Sequence, residues 1–515
     1  MVKKKNIHNV MDNIRLKNYR CFEDTGNVSI KPITVLVGAN SSGKSSFLKF
    51  FALLKQSVPT FVQGIFLWSG PLVDFRDFEN TVNTGQKVIE VEFTIDTLPI
   101  YSSFRFPDLK VEDVRVHLFI EQVGDGYEDY LKEMQLEFGH NKISLGFNSD
   151  RTANVCVNAV NSNDLNDTLK WGITNSLFPK VEFKSEEGSS RREGEHSYHA
   201  YKKISDILKQ FVSADSPMAR GAFTGARFRN SFDSTLMNKV LKRYTNNKID
   251  DTSLKDITNL MMYYNVNILL DSLNLYMLSF AKKMTYVMPL RAITQRYYRY
   301  NNYSVDSIDA DGANLPMFFN SLSGKTFQEF NERWLLPIFG FMIDLRTSGQ
   351  GHVELIVKEK GKQERNLVDV GFGYTQALPI LAIIWKSIVI DCVHCDESDD
   401  YCKTHIVAIE QPELHLHPRF QGMFVDMLDK VVEICHKEGK DVRIIIETHS
   451  EIIVNRLGAK IMDEESYLKS SDVNVLLFNA QGEGMDKYVV SVTYDEDGYL
   501  NNWPFGFFSD YVNRN

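Results

Sequence analysis

The spacing of apolar residues predicts an α/β chain with a parallel sheet in its C-terminal part. Alternating apolar positions over residues 14–22 predict a first strand, and the more continuous apolar run over 31–37 predicts a second, buried strand. Apolar residues at helical spacing follow over 47–54. From Thr404 onward, runs of strand length alternate with helical segments, which is typical of a parallel sheet covered by helices on both faces.

The middle of the chain follows other patterns. Several alternating runs between residues 88 and 158 predict an antiparallel meander with one buried face. Helical spacing dominates from about 161 to 283, apart from a polar stretch over 185–196, and predicts a helical insertion. After it, we expect a hairpin that turns at residues 360–361 and a buried helix over 374–393.

Composition narrows the class of protein. Of the 515 residues, 43% are apolar and 24% are charged, which is typical of a globular chain. Lysine and arginine number 58 against 67 aspartates and glutamates, a net charge of −9, so nucleic-acid binding would need a local basic patch. The N-terminus lacks the pattern of a signal peptide, and the longest apolar run, 377–385, is about half of what spans a bilayer. We therefore expect a cytoplasmic protein with no membrane partner.

A glycine-rich segment between the predicted buried strand and helix carries the first chemical signal. Residues 38–45 match GxxxxGK[ST] in the strand-to-helix context that a phosphate-binding loop requires. Backbone N–H groups at such a helix start point at phosphate oxygens, Lys44 adds positive charge, and Ser45 offers a hydroxyl to Mg²⁺. The predicted nucleotide-binding residues are Gly38, Asn40, Ser42, Gly43, Lys44, Ser45 and Ser46.

Three further segments end or begin in polar residues. The run HIVAIE ends at Glu410, which the carboxyl edge of a parallel sheet would place near a ligand and its Mg²⁺. The run RIIIETHSE leads to His449, which can reach a γ-phosphate or an attacking water. Residues 369–376, DVGFGYTQ, open a predicted helix after two glycines and form a second candidate anion site.

The order of these four motifs resembles the ABC-type ATPase heads of the RecF, SMC and OLD group. The resemblance covers residues 12–97 and 284–510, and it is closest to stand-alone bacterial anti-phage defence ATPases, those of Septu first and those of PARIS second. It implies an ABC-type P-loop ATPase head with an antiparallel β subdomain and a mainly helical insertion. The implied domains are the first part of the head (1–97), the β subdomain (98–160), the insertion (161–283) and the second part of the head (284–515).

The resemblance also implies roles for individual residues. Lys44 and Ser45 would bind the phosphates of ATP and Mg²⁺, Glu410 would be the Walker B acid that holds Mg²⁺, and His449 would be the switch histidine. A signature formed by Gly371, Gly373 and Thr375 would cap the ATP held by another copy of the chain.

Gln411 departs from the family pattern. ABC-type ATPases usually place a glutamate directly after the Walker B acid, and an amide can orient water but cannot accept its proton. Either Glu413 supplies the base, or hydrolysis is slow and ATP acts mainly as a clamp, which is the alternative we favour. The candidate catalytic residues are Glu410, Gln411, Glu413 and His449.

Two other stretches allow more than one interpretation. A zinc ion would suit the spacing of Cys392, Cys395, Cys402 and His405, but reduced thiols are the simpler expectation for six cysteines in 515 residues. Tyrosines interleave with Arg291, Arg296 and Arg299. Such a stretch can line a nucleic-acid groove or, as we favour here, form an arginine network around the nucleotide or a subunit interface.

Together these features predict the ATP-binding and ATP-hydrolysing regulatory subunit of an anti-phage defence system. By the resemblance it would form a head-to-head dimer or a higher oligomer. It would also control a separate nuclease of HNH or Toprim type, because the stretch after His449 is too short for a Toprim domain and no HNH motif is evident. The alternative is a RecF- or SMC-like ATPase that clamps DNA.

Overall fold

The structure is a computed structural model that divides into two compact units. The first unit comprises Met1–Asn27, Gln56–Lys282 and Asp400–Lys403, and the second comprises Val28–Lys55, Lys283–Asp399 and Thr404–Asn515. The residues described are 11–60, 62, 64–101, 109–123, 129–172, 176–184, 196–212, 232–289, 291, 294–299, 305–348, 351–391, 401–478 and 489–503.

Strands and helices are numbered here in chain order. The strands are β1 (Met11–Tyr19), β2 (Phe22–Asp24), β3 (Ile33–Gly38), β4 (Val88–Pro99), β5 (Lys110–Gln122), β6 (Asp129–Phe138), β7 (Asn141–Phe147), β8 (Thr152–Val157), β9 (Val160–Asn161), β10 (Leu169–Gly172), β11 (Lys180–Phe183), β12 (Met284–Val287), β13 (Tyr298–Arg299), β14 (Phe341–Ser348), β15 (His352–Glu359), β16 (Arg365–Asn366), β17 (Thr404–Glu410), β18 (Asp441–Glu447), β19 (Val473–Phe478) and β20 (Val489–Val492). The α-helices are α1 (Lys44–Ser57), α2 (Tyr198–Lys209), α3 (Ser234–Tyr244), α4 (Asp251–Tyr264), α5 (Val266–Lys282), α6 (Leu315–Ser321), α7 (Gly324–Phe330), α8 (Leu336–Phe339), α9 (Phe372–Lys386), α10 (Pro418–Glu438) and α11 (Glu451–Met462).

The first unit is built on one antiparallel sheet. Its strand order is β11-β10-β8-β7-β6-β5-β4-β1-β2, with β9 paired to β8. Buried and less buried positions alternate along β4 and β6, as expected for a sheet with one face packed on a core. The meander predicted between 88 and 158 is confirmed in β4 to β8, each strand pairing antiparallel with the next.

Helix α5 attaches to the end of this sheet through two buried amide side chains. Asn267 accepts a hydrogen bond from the Val181 N–H at 3.1 Å and donates to its carbonyl at 2.7 Å. Asn274 makes the same pair of bonds with Phe178, at 2.8 and 3.0 Å. These amides take the place of a neighbouring strand beside β11, and they satisfy backbone groups that burial would otherwise leave unpaired.

The limits predicted for the middle of the chain differ from those of the structure. The sheet of the first unit begins at β1, and β4 runs across the predicted limit at residue 98. Two strands, β10 and β11, lie inside the stretch predicted to be helical. The sequence analysis missed them because alternation over only four residues does not stand out. The apolar run over 257–283 is broken at Asn265 into α4 and α5.

The second unit contains a mainly parallel sheet in the order β12-β17-β18-β3-β19-β20. The first five strands are parallel, and β20 pairs antiparallel with β19. The strands β3, β17 and β19 are buried at every position, as expected for a sheet covered on both faces. The predicted α/β class, with an antiparallel β part and helices, is therefore confirmed.

A small antiparallel sheet accompanies the parallel one in the second unit. Strand β15 pairs with β14 along its whole length and, after a turn at residues 360–361, with β16. The predicted hairpin is therefore present, although β14, which the sequence analysis did not predict, is the main partner of β15. Core residues of both sheets and of α9, α10 and α11 form one apolar cluster.

Helix α9 is long and mostly apolar. With the short π-helical continuation after it, the 19-residue segment Gly373–Asp391 is long and apolar enough to cross a membrane by length and composition. However, 72% of the apolar 18-residue stretch within that segment is buried inside the protein. Trp385 and Ile384 are fully buried there. Core helices of globular proteins have the same properties, so this finding is weak evidence for a membrane span.

Candidate nucleotide-binding site

The glycine-rich loop lies between the buried strand β3 and the start of α1, as its sequence predicts. At Gly38 the backbone has φ +156°, and a Cβ there would lie 2.5 Å from the carbonyl oxygen of Phe478 and 2.7 Å from Ser42 Oγ. A side chain at this position would therefore collide with the neighbouring strand and with the loop itself. Ser42 Oγ is buried and has no hydrogen-bond partner among the described residues.

Lys44 is the first residue of α1, and its ammonium group points back into the loop. It donates hydrogen bonds to the carbonyl oxygens of Gly38, at 3.0 Å, and Ala39, at 2.7 Å. Burial lowers the pKa of Lys44, while the nearby carboxylates of Glu447 and Glu413 act in the opposite direction. The charge is thus held at the loop whose N–H groups are placed to bind phosphate.

Two carboxylates stand side by side at the carboxyl edge of the parallel sheet. Glu410 ends β17, Glu447 ends β18, and the two residues are register partners. Neighbouring strands are about 4.8 Å apart, and register partners in a parallel pair direct their side chains to the same face. Glu447 Oε1 accepts a hydrogen bond of 2.7 Å from Ser45 Oγ, the hydroxyl predicted to bind Mg²⁺.

Glu410 is held by a tyrosine and a lysine. Its Oε1 accepts a hydrogen bond of 2.5 Å from the Tyr286 hydroxyl on β12, and Lys49 Nζ lies 3.6 Å from the same oxygen. Burial raises the pKa of Glu410, and Lys49 and the tyrosine bond oppose that effect. The carboxylate is thus fixed in orientation and has a positive charge on one side.

Arg291 holds the backbone that follows this carboxylate. Its guanidinium donates to the carbonyl oxygens of Pro289 at 2.7 Å, Glu410 at 3.2 Å and Gln411 at 3.4 Å. Arg291 is 6% exposed, and burial lowers its pKa to about 10. The guanidinium of Arg291 is therefore engaged with backbone groups beside Glu410, within the second unit.

The residues after the two strands are connected through their backbones. Gln411 has a positive φ of 41°, and its N–H donates to the Glu447 carbonyl at 2.9 Å. Glu413 Oε1 accepts a bond of 2.7 Å from the His449 N–H, and burial raises the pKa of Glu413. Glu413 therefore holds the backbone at His449 in place. The His449 side chain itself is exposed at the surface. Its pKa is lowered, first by the part of the ring that is buried and then by the charge of Lys44.

The glycines predicted to form the signature lie at the N-terminus of α9. Gly371 is exposed and has φ +100°, a backbone conformation that residues with a side chain rarely adopt. Nothing lies within 4 Å of a Cβ built on it. Gly373 is likewise open to solvent on the side where a Cβ would stand, while Thr375 is buried. The preceding turn is fixed by Arg296, which makes hydrogen bonds of 2.6 and 2.8 Å with the two oxygens of Asp369.

The candidate zinc site falls partly outside the described residues, since Cys392 and Cys395 lie in the stretch 392–400. Cys402 and His405 are both buried. Burial lowers the pKa of His405 to about 4, so its imidazole is neutral near pH 7. In the described part of the chain, no group of three or more histidine, cysteine, aspartate or glutamate side chains could hold a metal ion.

Most predicted site residues are therefore brought together, and three residues that the sequence analysis did not select join them: Glu447, Tyr286 and Lys49. The signal for Glu447 was present, because it ends a predicted strand just as Glu410 does. The sequence carried no signal for Tyr286 and Lys49, because their roles depend on which strand and helix lie beside β17.

The residues present suit ATP with Mg²⁺. Mg²⁺ favours oxygen ligands, usually one or two carboxylates together with substrate phosphates and water. Here a hydroxyl and two carboxylates meet beside a phosphate-binding loop, and Glu447 Oε2 is buried without a hydrogen-bond partner among the described residues. Ser45 and Glu410, the predicted ligands, would hold the cation, which would neutralise phosphate charge when it is bound.

The strand order, the loop and the paired carboxylates define a P-loop ATPase of the ABC type. The chain belongs to the AAA ATPase domain family (AAA_15), whose model matches residues 11–454. ATPase domains of this kind generally use ATP with Mg²⁺.

Solved structures similar to the chain include heads of SMC proteins. One is the Smc head domain of Pyrococcus furiosus with an extended coiled coil, bound to the C-terminal domain of ScpA. It is 12% identical, with a TM-score of 0.35, over 94% of this chain and 96% of that one. Another is the SMC head domain from Thermotoga maritima. It is 10% identical, with a TM-score of 0.34, over 94% of this chain and 99% of that one. No curated protein matches the chain.

Proposed function

We propose that this protein is the ATP-binding and ATP-hydrolysing regulatory subunit of an anti-phage defence system, cytoplasmic, and that it controls a separate nuclease. The observation that carries the ATPase part is the meeting of Lys44, Ser45, Glu410 and Glu447 at one edge of the sheet. The defence role rests on the resemblance of the motifs to those of Septu and PARIS ATPases.

Slow hydrolysis is part of this proposal. The residue after Glu410 is an amide, Gln411, and Glu413 is engaged with the His449 N–H. A carboxyl that already accepts a backbone bond and is buried is a weak candidate for taking a proton from water. ATP would then act mainly as a clamp between copies, and the rate of hydrolysis would set how long the clamp lasts.

Self-association is proposed to occur through the N-terminus of α9. Gly371 and Gly373 leave the backbone of this helix start accessible, and helix N-termini favour phosphate groups. In a head-to-head dimer, this end of one copy would meet ATP on the phosphate-binding loop of the other.

Nucleotide binding tests the ATPase part. Lys44→Ala should reduce affinity for a fluorescent ATP analogue at least about 100-fold, since it removes the buried charge that faces the phosphates. Lys362→Ala, an exposed lysine in the turn after β15, is the matched control and should bind like the wild type. Equal binding by Lys44→Ala and the control would refute the ATPase proposal.

Co-purification and phage challenge test the defence part. The wild-type chain, expressed with its neighbouring reading frames, should recover a nuclease and protect cells, and Lys44→Ala should lose protection. Salt-sensitive DNA binding by the purified chain alone, with no nuclease recovered, would instead indicate the DNA-clamping alternative. The engagement of Arg291 and Arg296 in contacts within the chain speaks against that alternative.

A further inference from the structure

Glu447 is a buried carboxyl group that the P-loop pattern does not assign. It ends β18, which lies between β17 and β3, so its side chain stands between the Walker B acid and the phosphate-binding loop. The residue is 2% exposed. One carboxylate oxygen accepts the bond from Ser45, and the other has no hydrogen-bond partner in the described part of the chain.

The positive charges close to the two carboxylates are already engaged. Lys44 donates to two loop carbonyls, and Lys49 lies 3.6 Å from Glu410 Oε1 rather than from Glu447. A buried carboxylate oxygen without a donor is costly, and a second carboxylate on the neighbouring strand adds repulsion. A divalent cation placed between Ser45, Glu410 and Glu447 would remove both costs.

The cation would also need ligands from outside the chain. Two carboxylates and one hydroxyl supply at most part of an octahedral shell, and no cluster of three or more acidic, histidine or cysteine side chains in the described residues could hold a metal ion by itself. Nucleotide phosphates and water would complete the shell, so cation binding and nucleotide binding are coupled.

We propose that Glu447 is a second carboxylate ligand of the nucleotide-bound divalent cation, beside Ser45 and Glu410. The inference rests on the proposed ATPase function and adds one ligand to its metal site. The bond from Ser45 to Glu447 holds the hydroxyl beside the carboxylate, so the two groups lie together as ligands that the cation would use.

The first test measures Mn²⁺, used as a probe in place of Mg²⁺, by electron paramagnetic resonance with saturating ADP. Glu447→Gln keeps the volume of the side chain and an oxygen that Ser45 can donate to, but it removes the charge. It should weaken Mn²⁺ binding about 100-fold or more, beyond the 10- to 100-fold loss that is typical of a group supporting a ligand from outside the first shell. Glu451→Gln, an exposed glutamate in the first turn of α11, is the control and should bind Mn²⁺ like the wild type.

The same variants are then titrated with the ATP analogue in EDTA. Without the cation, Glu447 repels the phosphates, so Glu447→Gln should bind the analogue as well as the wild type or more tightly. A purely structural role would leave the Mn²⁺ affinity of Glu447→Gln unchanged, since its amide oxygen still accepts from Ser45. Unchanged Mn²⁺ affinity would therefore overturn the inference.

A second variant covers a failure of Glu447→Gln to fold and tests direct coordination. Glu447→Cys should lose Mn²⁺ affinity and bind Cd²⁺ with nucleotide more tightly than the wild type, because thiolate favours the softer ion. Glu451→Cys controls for Cd²⁺ bound by the six native cysteines. Cd²⁺ affinity equal in the two cysteine variants would contradict direct coordination. A wild-type chain that bound no ATP analogue at all would instead refute the proposed function.

Discussion

At the scale of single residues, the site depends on groups whose partners are fixed by burial. Glu410 is oriented by Tyr286 and Lys49, and Gly38 is required by the distance between the loop and β19. Each of these dependencies leads to a substitution whose effect follows from one contact.

Tyr286→Phe removes the hydroxyl that donates to Glu410 Oε1. We expect about 1–3 kcal/mol less stability, because the buried carboxylate loses a hydrogen bond, and slower ATP hydrolysis with nucleotide binding retained. Urea unfolding and steady-state phosphate release measure the two effects. Tyr297→Phe, at a tyrosine that is 50% exposed, is the control, and equal results for both variants would contradict this role for Tyr286.

Gly38→Ala introduces a Cβ about 2.5 Å from the Phe478 carbonyl oxygen. The loop or β19 must shift, so we expect at least about 2 kcal/mol of destabilisation and a loss of ATP binding of tenfold or more. Gly422→Ala is a matched control inside α10, where nothing lies within 4 Å of the added carbon, and it should be neutral or slightly stabilising. Normal ATP binding by Gly38→Ala would show that the loop adjusts easily.

At the scale of elements, the parallel strands carry the candidate site residues at their carboxyl edge. At the opposite end of a strand they accommodate a buried, neutral polar side chain. His405 is the second residue of β17, five positions before Glu410, and it is 3% exposed. Burial keeps its imidazole neutral by lowering its pKa to about 4, against an ordinary value of 6.5. The strand is therefore sensitive to acid at the end opposite to the site.

His405→Gln should reduce the acid sensitivity of the second unit. Between pH 6.5 and about 4 the unfolded chain binds a proton at His405 that the folded chain does not, so stability falls as pH falls, by about 3 kcal/mol in total. Glu410, Glu413 and Glu447, with raised pKa values, act in the opposite direction in both proteins. The difference between the two curves of unfolding free energy against pH isolates His405, and a flat difference would contradict the prediction.

At the scale of the whole molecule, the proposed clamp requires the loop of one copy and the α9 N-terminus of another. Gly373→Glu should leave the fold intact, because the space around the added side chain is open and a glutamate suits a helix N-terminus. It should bind ATP alone but lose ATP-dependent dimers in analytical ultracentrifugation, since the new charge repels phosphate.

Mixing two defective variants tests whether the site is shared. Lys44→Ala lacks a working loop and Gly373→Glu lacks a working signature, so a mixed dimer contains one intact composite site. The mixture should recover ATP hydrolysis up to about half of the wild-type rate, whereas each variant alone is inactive. No recovery in the mixture would indicate that each copy uses its own signature or none.

The sequence by itself determined the local features that depend on neighbours along the chain. The phosphate-binding loop, the strand that ends at Glu410 and the start of α10 at Pro418 follow from apolar spacing, glycine and proline, because these act within a few residues. Short strands such as β10 carried too little periodicity, and the break at Asn265 carried no proline or glycine to mark it.

The tertiary structure decided which of these features share a site. The register of β17 with β18 sets Glu447 beside Glu410, and the pairing of β12 with β17 brings the Tyr286 hydroxyl to the same carboxylate. Strand order is set by packing between segments that are distant along the chain, such as β12 with β17 or β18 with β3. The spacing of residues in the sequence does not reveal which of these segments become neighbours. The pairing of the proposed metal-binding carboxylates therefore follows from the sheet, while the presence of a phosphate-binding loop follows from the sequence.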